Sequence, residues 1–449
     1  MALTTLLVLS IFVAGCILPF RNPFYGTLAV IGFYFLNPPN HWWGEELTTI
    51  TGPRWQFWLS IALLGGFFLN KSKYAETAGR IRFLNKWLVP FLFFSVLTIP
   101  LAVVSEEVAR EATLKLVKIL IFTYVMVRTC RTWREFEILW GVILLGSFYF
   151  GWDAFIYSRT VGGRVEGVGG PDCSNANHLG VFLLLVLPMA GLWVVRGKLW
   201  MRTIAIPSAL FALNALILTQ SRGAFLGAAF ATLIATLFAP PKLRMRILVA
   251  AVIGVVAFLH LTNEEFWQRM ETLDNVEEDA SANTRLIIWN AAYRAMKDHP
   301  LGLGGENFPL VSQRYEPRLQ MKRATHNTWL QAGTSIGWPG LFTFVGLLAS
   351  ANLTFLRLTR RKDLPELSLA AIALLCGFSG ALLAATFTSR FYGDAIYWFV
   401  GMACILRGLA QRATSPPPRA EYAPAGKARQ RGPVRIGNLV LPEKPWWLK

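Results

Sequence analysis

Three residues in this chain have the chemistry to bind an anion and move a proton. Arg222 interrupts the apolar stretch 203–239, in the context Thr219-Gln220-Ser221-Arg222-Gly223-Ala224. Two readings of it stand. It is an end-of-helix arginine reaching phospholipid headgroups, or a guanidinium beside a helix N-terminus, whose free N–H groups also favour a phosphate. Arg285 lies in Asn283-Thr284-Arg285-Leu286-Ile287-Ile288-Trp289. A cap at Asn283 or Ser281 would place it in the first turn of a helix, where the dipole disfavours a cation. It is then either a solvated residue paired with Glu277-Glu278-Asp279 or a second guanidinium facing a diphosphate. His326 opens Thr325-His326-Asn327-Thr328-Trp329-Leu330. It is an interfacial residue or a proton acceptor, since an unperturbed imidazole titrates near pH 6.5.

Other polar residues have weaker claims. Asp172, Asn175 and Asn177 form a polar loop that either contacts sugar hydroxyls or caps the next helix, and Asn327 beside His326 is a further candidate glycan or acceptor contact. His178 precedes an apolar run, His260 reads as core, His299 as a turn residue, and His41-Trp42-Trp43 as an interfacial aromatic belt. No Asp-x-Asp pair or Glu-x-x-His occurs between 263 and 325, so no metal clamp is expected. The five cysteines show no metal-ligand or disulfide spacing.

The elements that must position these residues are set by composition. Charged residues make up 16% and hydrophobic residues 54% of the chain, whereas a soluble domain carries about 25% charged residues. Charge-free runs near the length needed to cross a bilayer lie at 3–20, 22–37, 55–70, 87–104, 137–152, 179–195, 203–220, 223–239, 247–262, 327–356, 367–387 and 395–406. A weaker thirteenth, 114–128, carries Lys115 and Lys118 near one end. Unbroken runs of this length favour helices over barrel strands. The expected fold is all-α and polytopic, with 12–13 membrane helices.

The net charge of +18 sits in short clusters between apolar runs, a pattern of topology rather than of nucleic-acid binding. Alternating the loops places Arg21, 71–86, 128–134, 196–202, 242–246, 357–362 and the C-terminal tail on one side. That set is richer in Lys and Arg and is therefore assigned to the cytoplasm. Thirteen spans would leave the N-terminus outside; twelve would place both ends inside. The expected organisation is membrane helices over 1–262, a periplasmic loop subdomain over 263–325, further membrane helices over 326–409 and a basic disordered tail over 410–449. The long loop holds ten of the chain's 26 acidic residues and has helical periodicity from Asn283 to Asp298, with Leu286, Trp289, Tyr293 and Met296 on one face. His299-Pro300 and the glycines Gly302, Gly304 and Gly305 then break it.

Three segments together resemble the O-antigen ligase and O-antigen polymerase superfamily of bacterial membrane glycosyltransferases. They are Gln220-Ser221-Arg222-Gly223-Ala224; Thr284-Arg285-Leu286-Ile287-Ile288-Trp289 leading to His299-Pro300-Leu301-Gly302-Leu303-Gly304; and His326-Asn327-Thr328-Trp329-Leu330 followed by Gly337-Trp338-Pro339-Gly340-Leu341. Their order is that of the family. Leu36-Asn37-Pro38-Pro39 is also similar to the exosortase-associated O-glycosylation ligase branch. The odd span count departs from the family's usual twelve.

The resemblance implies a GT-C-like architecture in the bacterial inner membrane with its active site on the periplasmic side. The implied reaction moves a glycan from undecaprenyl diphosphate to an acceptor hydroxyl, on a lipid A core, a protein or another lipid-linked glycan, as in lipopolysaccharide and polysaccharide biosynthesis. No cofactor or metal is implied. Arg222 and Arg285 would hold the diphosphate, and His326 would be the general base of an inverting transfer. The motifs do not separate ligase from polymerase. A polyprenyl-glycan flippase or transporter is the rival from another class, against which the gathering of polar residues at one face argues. A non-catalytic scaffold would lose nothing but stability on loss of the three residues.

Overall fold

The computed structural model describes residues 3–41, 43–52, 54–157, 160–161, 164–173, 175–261, 280–319 and 321–414. The N-terminal half contains α1 (Leu3–Ile17), α2 (Pro23–Leu36), α3 (Gly44–Thr51), α4 (Trp55–Leu69), α5 (Asn85–Leu97), α6 (Glu106–Thr129) and α7 (Trp133–Tyr157). A two-stranded hairpin, β1 (Thr160–Val161) and β2 (Arg164–Val165), leads to the short α8 (Gly170–Cys173). Then follow α9 (Ala176–Arg196), α10 (Leu199–Leu218), α11 (Arg222–Phe238) and α12 (Pro241–Leu261). Beyond residue 279 lie α13 (Ala280–Asp298), α14 (Phe308–Tyr315), α15 (Thr328–Leu358), α16 (Pro365–Ala384) and α17 (Asp394–Thr414).

The fold is all-α and polytopic. Each apolar run in the sequence, including the weak one at 114–128, is helical, and the run 327–356 holds two helices separated at Gly337. Among the described residues six helices are long and apolar enough to cross a membrane, and α2, α4 and α11 are shorter apolar helices. The run 87–104 yields only the helix Asn85–Leu97, because Pro100 disfavours helical backbone at the residue before it and the chain turns there. Of those six, α16 is the most buried. It meets α11 backbone to backbone at Gly227 and Gly380, where a side chain on either glycine would lie 2.5 Å from the other's carbonyl. Close approach of this kind replaces hydrophobic driving force where lipid is the solvent.

Contacts join 71–86, 128–134 and the start of the tail, all from one of the two sets obtained by alternation. At one end Arg80 donates to the carbonyls of Cys130 (2.5 Å) and Arg131 (3.2 Å), and Arg412 bonds the Arg131 carbonyl (3.3 Å). At the other end the segment 299–307 docks on α6 and α15. Val103 N–H donates to the Leu303 carbonyl (3.0 Å), Leu303 N–H to Thr334 (2.7 Å) and Trp338 N–H to Pro300 (2.9 Å). Asn307 Oδ1 accepts from the N–H groups of Val104 (3.2 Å) and Ser105 (2.8 Å).

That docking explains the glycines of the second and third motifs. Gly302 has φ 99°, and a Cβ there would stand 2.6 Å from the Gly337 nitrogen. Gly337, at φ 71°, breaks α15 into two helices, and its own Cβ would overlap Leu301. Both positions need left-handed backbone and no side chain.

Two expectations differ from the structure. The buried face of α13 is Ile288, Ala291, Ala292, Ala295 and Met296, while Leu286 and Tyr293 are exposed. The face follows the small residues, which let α13 and α14 close over Leu303, Phe308 and Val311. His260, read as core, is exposed in the last turn of α12. The first part of the long loop and the tail beyond Thr414 lie outside the described residues, as does the acidic run Glu277-Glu278-Asp279.

Candidate functional site

Arg222 is the first residue of α11. Thr219 ends the preceding helix, Gln220 takes left-handed backbone (φ 45°), and Ser221 caps α11 by accepting from the Ala224 N–H (3.3 Å). The turn therefore holds Arg222 at a helix N-terminus, the geometry of an anion site. Ser221 Oγ donates to Asn177 Oδ1 (2.8 Å), which also accepts from Arg164 (2.9 Å). Arg164 in turn donates to the Thr219 carbonyl (2.9 Å). Asn177 is thus committed to fixing the Arg222 turn against α9, and Asn175 caps α9 by accepting from the Asn177 N–H (2.9 Å).

α13 begins at Ala280, so Arg285 lies in its second turn rather than its first. One turn further on the same face is Trp289. Its indole donates to the Thr325 carbonyl (3.0 Å), the residue before His326, and its ring lies 6.3 Å from that of Phe387. Phe387 in turn covers Gly223, where a Cβ would stand 3.1 Å from the Phe387 Cβ. Trp289 and Phe387 therefore tie together the three segments that carry Arg222, Arg285 and His326.

His326 has φ 47°, left-handed backbone that a non-glycine residue adopts only under constraint. The constraint is visible on both sides. Thr325 Oγ1 donates to the Asn327 carbonyl (3.0 Å), and Asn327 Oδ1 caps α15 by accepting from Trp329 (2.9 Å) and Leu330 (3.0 Å). The Asn327 carbonyl oxygen is thereby occupied. Burial lowers the pKa of His326 below its ordinary 6.5, and the charges of Arg285 and Arg323 lower it further. A pKa shifted in this direction favours the neutral, proton-accepting imidazole at pH 7.

A node beside this group was not legible in the sequence. Arg390, fully buried, donates to Asp172 Oδ2 (2.8 Å) and to the Asp172 carbonyl (2.5 Å); Tyr34 adds a hydrogen bond to Oδ2 (2.9 Å). Burial alone would raise the Asp172 carboxyl, but Arg390, then Lys115, outweigh it and hold it below its ordinary value. Asp172 thus neither caps a helix nor faces open solvent. Glu306, also left-handed (φ 54°), accepts from Gln331 (2.5 Å), and burial raises its carboxyl. The charges of Arg390, Asp172, His326 and Lys115 all act on His178, so this residue joins the Asp172 node to the His326 segment.

All four described non-glycine residues with positive φ, Asn37, Gln220, Glu306 and His326, lie at this end of the bundle. Backbone strain concentrates where geometry is held for function.

Residues 207–345 match the family model described as O-antigen ligase. The match takes in all three motif segments and supports the superfamily that they suggest. No curated protein matches the chain.

Proposed function

We propose that this chain, an O-antigen-ligase-like membrane protein, transfers a glycan from undecaprenyl diphosphate to an acceptor hydroxyl at the periplasmic face of a bacterial inner membrane. The observation that carries the reading is the convergence of the three motifs on Trp289 and Phe387, with a strained, neutral His326 within the field of Arg285.

The chemistry follows from those groups. The neutral imidazole takes the acceptor hydroxyl proton while the oxygen attacks the anomeric carbon. The bond from that carbon to the diphosphate oxygen breaks, and its electron pair leaves with the diphosphate. Direct attack inverts the anomeric centre. Arg222 at the N-terminus of α11 and Arg285 on α13 stabilise the charge that builds on the leaving group, which is stabilisation specific to the transition state. The same charge offsets that of Arg285, which depresses the pKa of His326. The base therefore gains affinity for the proton as the bond to the diphosphate breaks.

Loss of a positioned general base costs about 10²–10⁴-fold in rate. A transporter reading would look to the broken helix α15 for its substrate site. That break is filled by the Pro300–Leu301 backbone, which disfavours it.

The test is product analysis. Purified protein is given undecaprenyl-diphosphate glycan with lipid A-core, peptide and lipid-linked acceptors in turn, and the linkage is determined by NMR. A product inverted at the anomeric carbon is expected. A retained configuration would overturn the single-displacement mechanism. Preference for a lipid-linked acceptor would make the protein a polymerase rather than a ligase.

A further inference from the structure

The broken helix α15 fixes the depth of the α13–α14 subdomain. Beyond its break at Gly337 it runs from Trp338 to Leu358 with no ionisable residue before Arg357, and Arg360, Arg361 and Lys362 follow. That half is roughly 30 Å long, the thickness of a bilayer's hydrocarbon core. Trp338 therefore stands at the membrane–water boundary, where tryptophan is enriched. It also holds the end of α13 at that level. Its indole donates to the Met296 carbonyl (3.2 Å), its N–H to the Pro300 carbonyl (2.9 Å), and its ring lies 6.1 Å from that of Tyr293. Tyr293, Leu301, Trp338 and Phe342 are all exposed, as on a surface that lies in a membrane interface.

At the same level α13 and α14 enclose an open cavity of about 530 Å³, lined by Arg294, Lys297, Asp298, His299, Arg314 and Tyr315. Lys297 lies roughly 18 Å along α13 from Arg285, so the cavity is outside the candidate site. Its charges do not cancel. Glu316 is taken by Arg318 (2.7 Å) and Arg294 (3.3 Å), and Asp298 accepts a hydrogen bond from Tyr315. Among the described residues no carboxylate forms an ion pair with Lys297 or Arg314, and both are exposed. Each stands in the last turn of its helix, where the dipole favours a cation but leaves the side chain open to an outside acceptor. The Lys297 ammonium sits 4.7 Å over the Tyr293 ring, beside the apolar surface. Cations next to an interfacial apolar surface match a lipid phosphate above its acyl chains.

We infer that this cavity binds the phosphate of an anionic phospholipid headgroup through Lys297 and Arg314, and so seats the α13–α14 subdomain on the membrane surface. The site is separate from the one proposed for transfer and stands whether or not that reaction does.

The test is a titration of dioctanoyl phosphatidylglycerol into the detergent-solubilised full chain, followed by thermal shift. Dioctanoyl phosphatidylcholine, inorganic phosphate and lipid A are the parallel titrants. Wild type should bind phosphatidylglycerol more tightly than any of them. The double variant Lys297→Gln with Arg314→Gln should lose about tenfold or more of that affinity, and Lys297→Arg should keep most of it. Asp298→Asn removes the one carboxylate of the lining and should tighten binding. Equal affinity of wild type and the double variant for phosphatidylglycerol would overturn the inference, as would equal binding of phosphatidylcholine. Inorganic phosphate bound as tightly as the lipid would make the cavity a site for soluble anions, and preference for lipid A would make it an acceptor site; either result also overturns it. Should the double variant fail to fold, unchanged affinity in folded Asp298→Asn would decide against the inference by itself.

Discussion

At the scale of single residues, the acid–base behaviour of His326 offers a quantitative handle. Its pKa is depressed by burial and by Arg285 and Arg323. A general base must be unprotonated, so kcat/KM should stay flat as pH falls through 6.5 and drop only below it. Arg285→Gln removes one depressing charge and should move that acid limb upward, toward 6.5, besides slowing transfer. A limb that stays put would separate Arg285 from His326. The Asp172–Arg390 pair makes a different prediction. Removing one member leaves the other charge buried, which costs about 3–5 kcal/mol. Asp172→Asn should therefore lower thermal stability in detergent markedly, more than Lys115→Gln does. Arg222 and His326 could be singled out because ionisable groups at the edges of apolar runs are conspicuous, and Arg285 because it stands near the start of a predicted helix in a family-like motif. Arg390 and Glu306 could not, since their meaning lies in partners far away in the chain, at Asp172 and Gln331.

At the scale of elements, the apolar runs located the helices, because lipid demands long uncharged segments with internal hydrogen bonds. Local breakers were read less well. Pro100 cut α5 short and Gly337 split α15. The buried face of α13 was set by alanines packing against its own subdomain, a preference that periodicity of large residues does not reveal. The glycine motifs turn out to be docking devices for the 299–307 segment. Gly302→Ala should force that segment off α15, because a Cβ would meet the Gly337 nitrogen on left-handed backbone. Strained backbone of this kind costs about 1–3 kcal/mol by itself. Faster proteolysis within 299–325, with helix content unchanged in circular dichroism, is the expected outcome. Unaltered proteolysis would mean that the docking is not limiting.

At the scale of the whole molecule, 71–86, 128–134 and the start of the tail contact one another at one end, and the candidate site lies at the other. The proposed function puts the end away from the site, with its excess of Lys and Arg, in the cytoplasm. Of the five native cysteines four are buried and Cys16 is partly so, which favours labelling of introduced ones. Lys322→Cys and Lys362→Cys replace exposed residues at the two ends. An impermeant maleimide applied from the periplasm should label Lys322→Cys and leave Lys362→Cys unlabelled until the membrane is opened. The reverse pattern would place the candidate site in the cytoplasm and rule out a periplasmic transfer.

The central claim is that Arg222, Arg285 and His326 act on one lipid-linked donor, and it is tested most directly by transfer in a defined system. Purified protein in detergent is supplied with undecaprenyl-diphosphate glycan, an acceptor panel and EDTA, and wild type is compared with His326→Ala, Arg222→Ala and Arg285→Ala. Transfer by wild type despite EDTA, reduced about a hundredfold or more in folded His326→Ala and clearly reduced in both arginine variants, is the predicted result. Wild-type transfer that the three folded variants retain at full rate would contradict it.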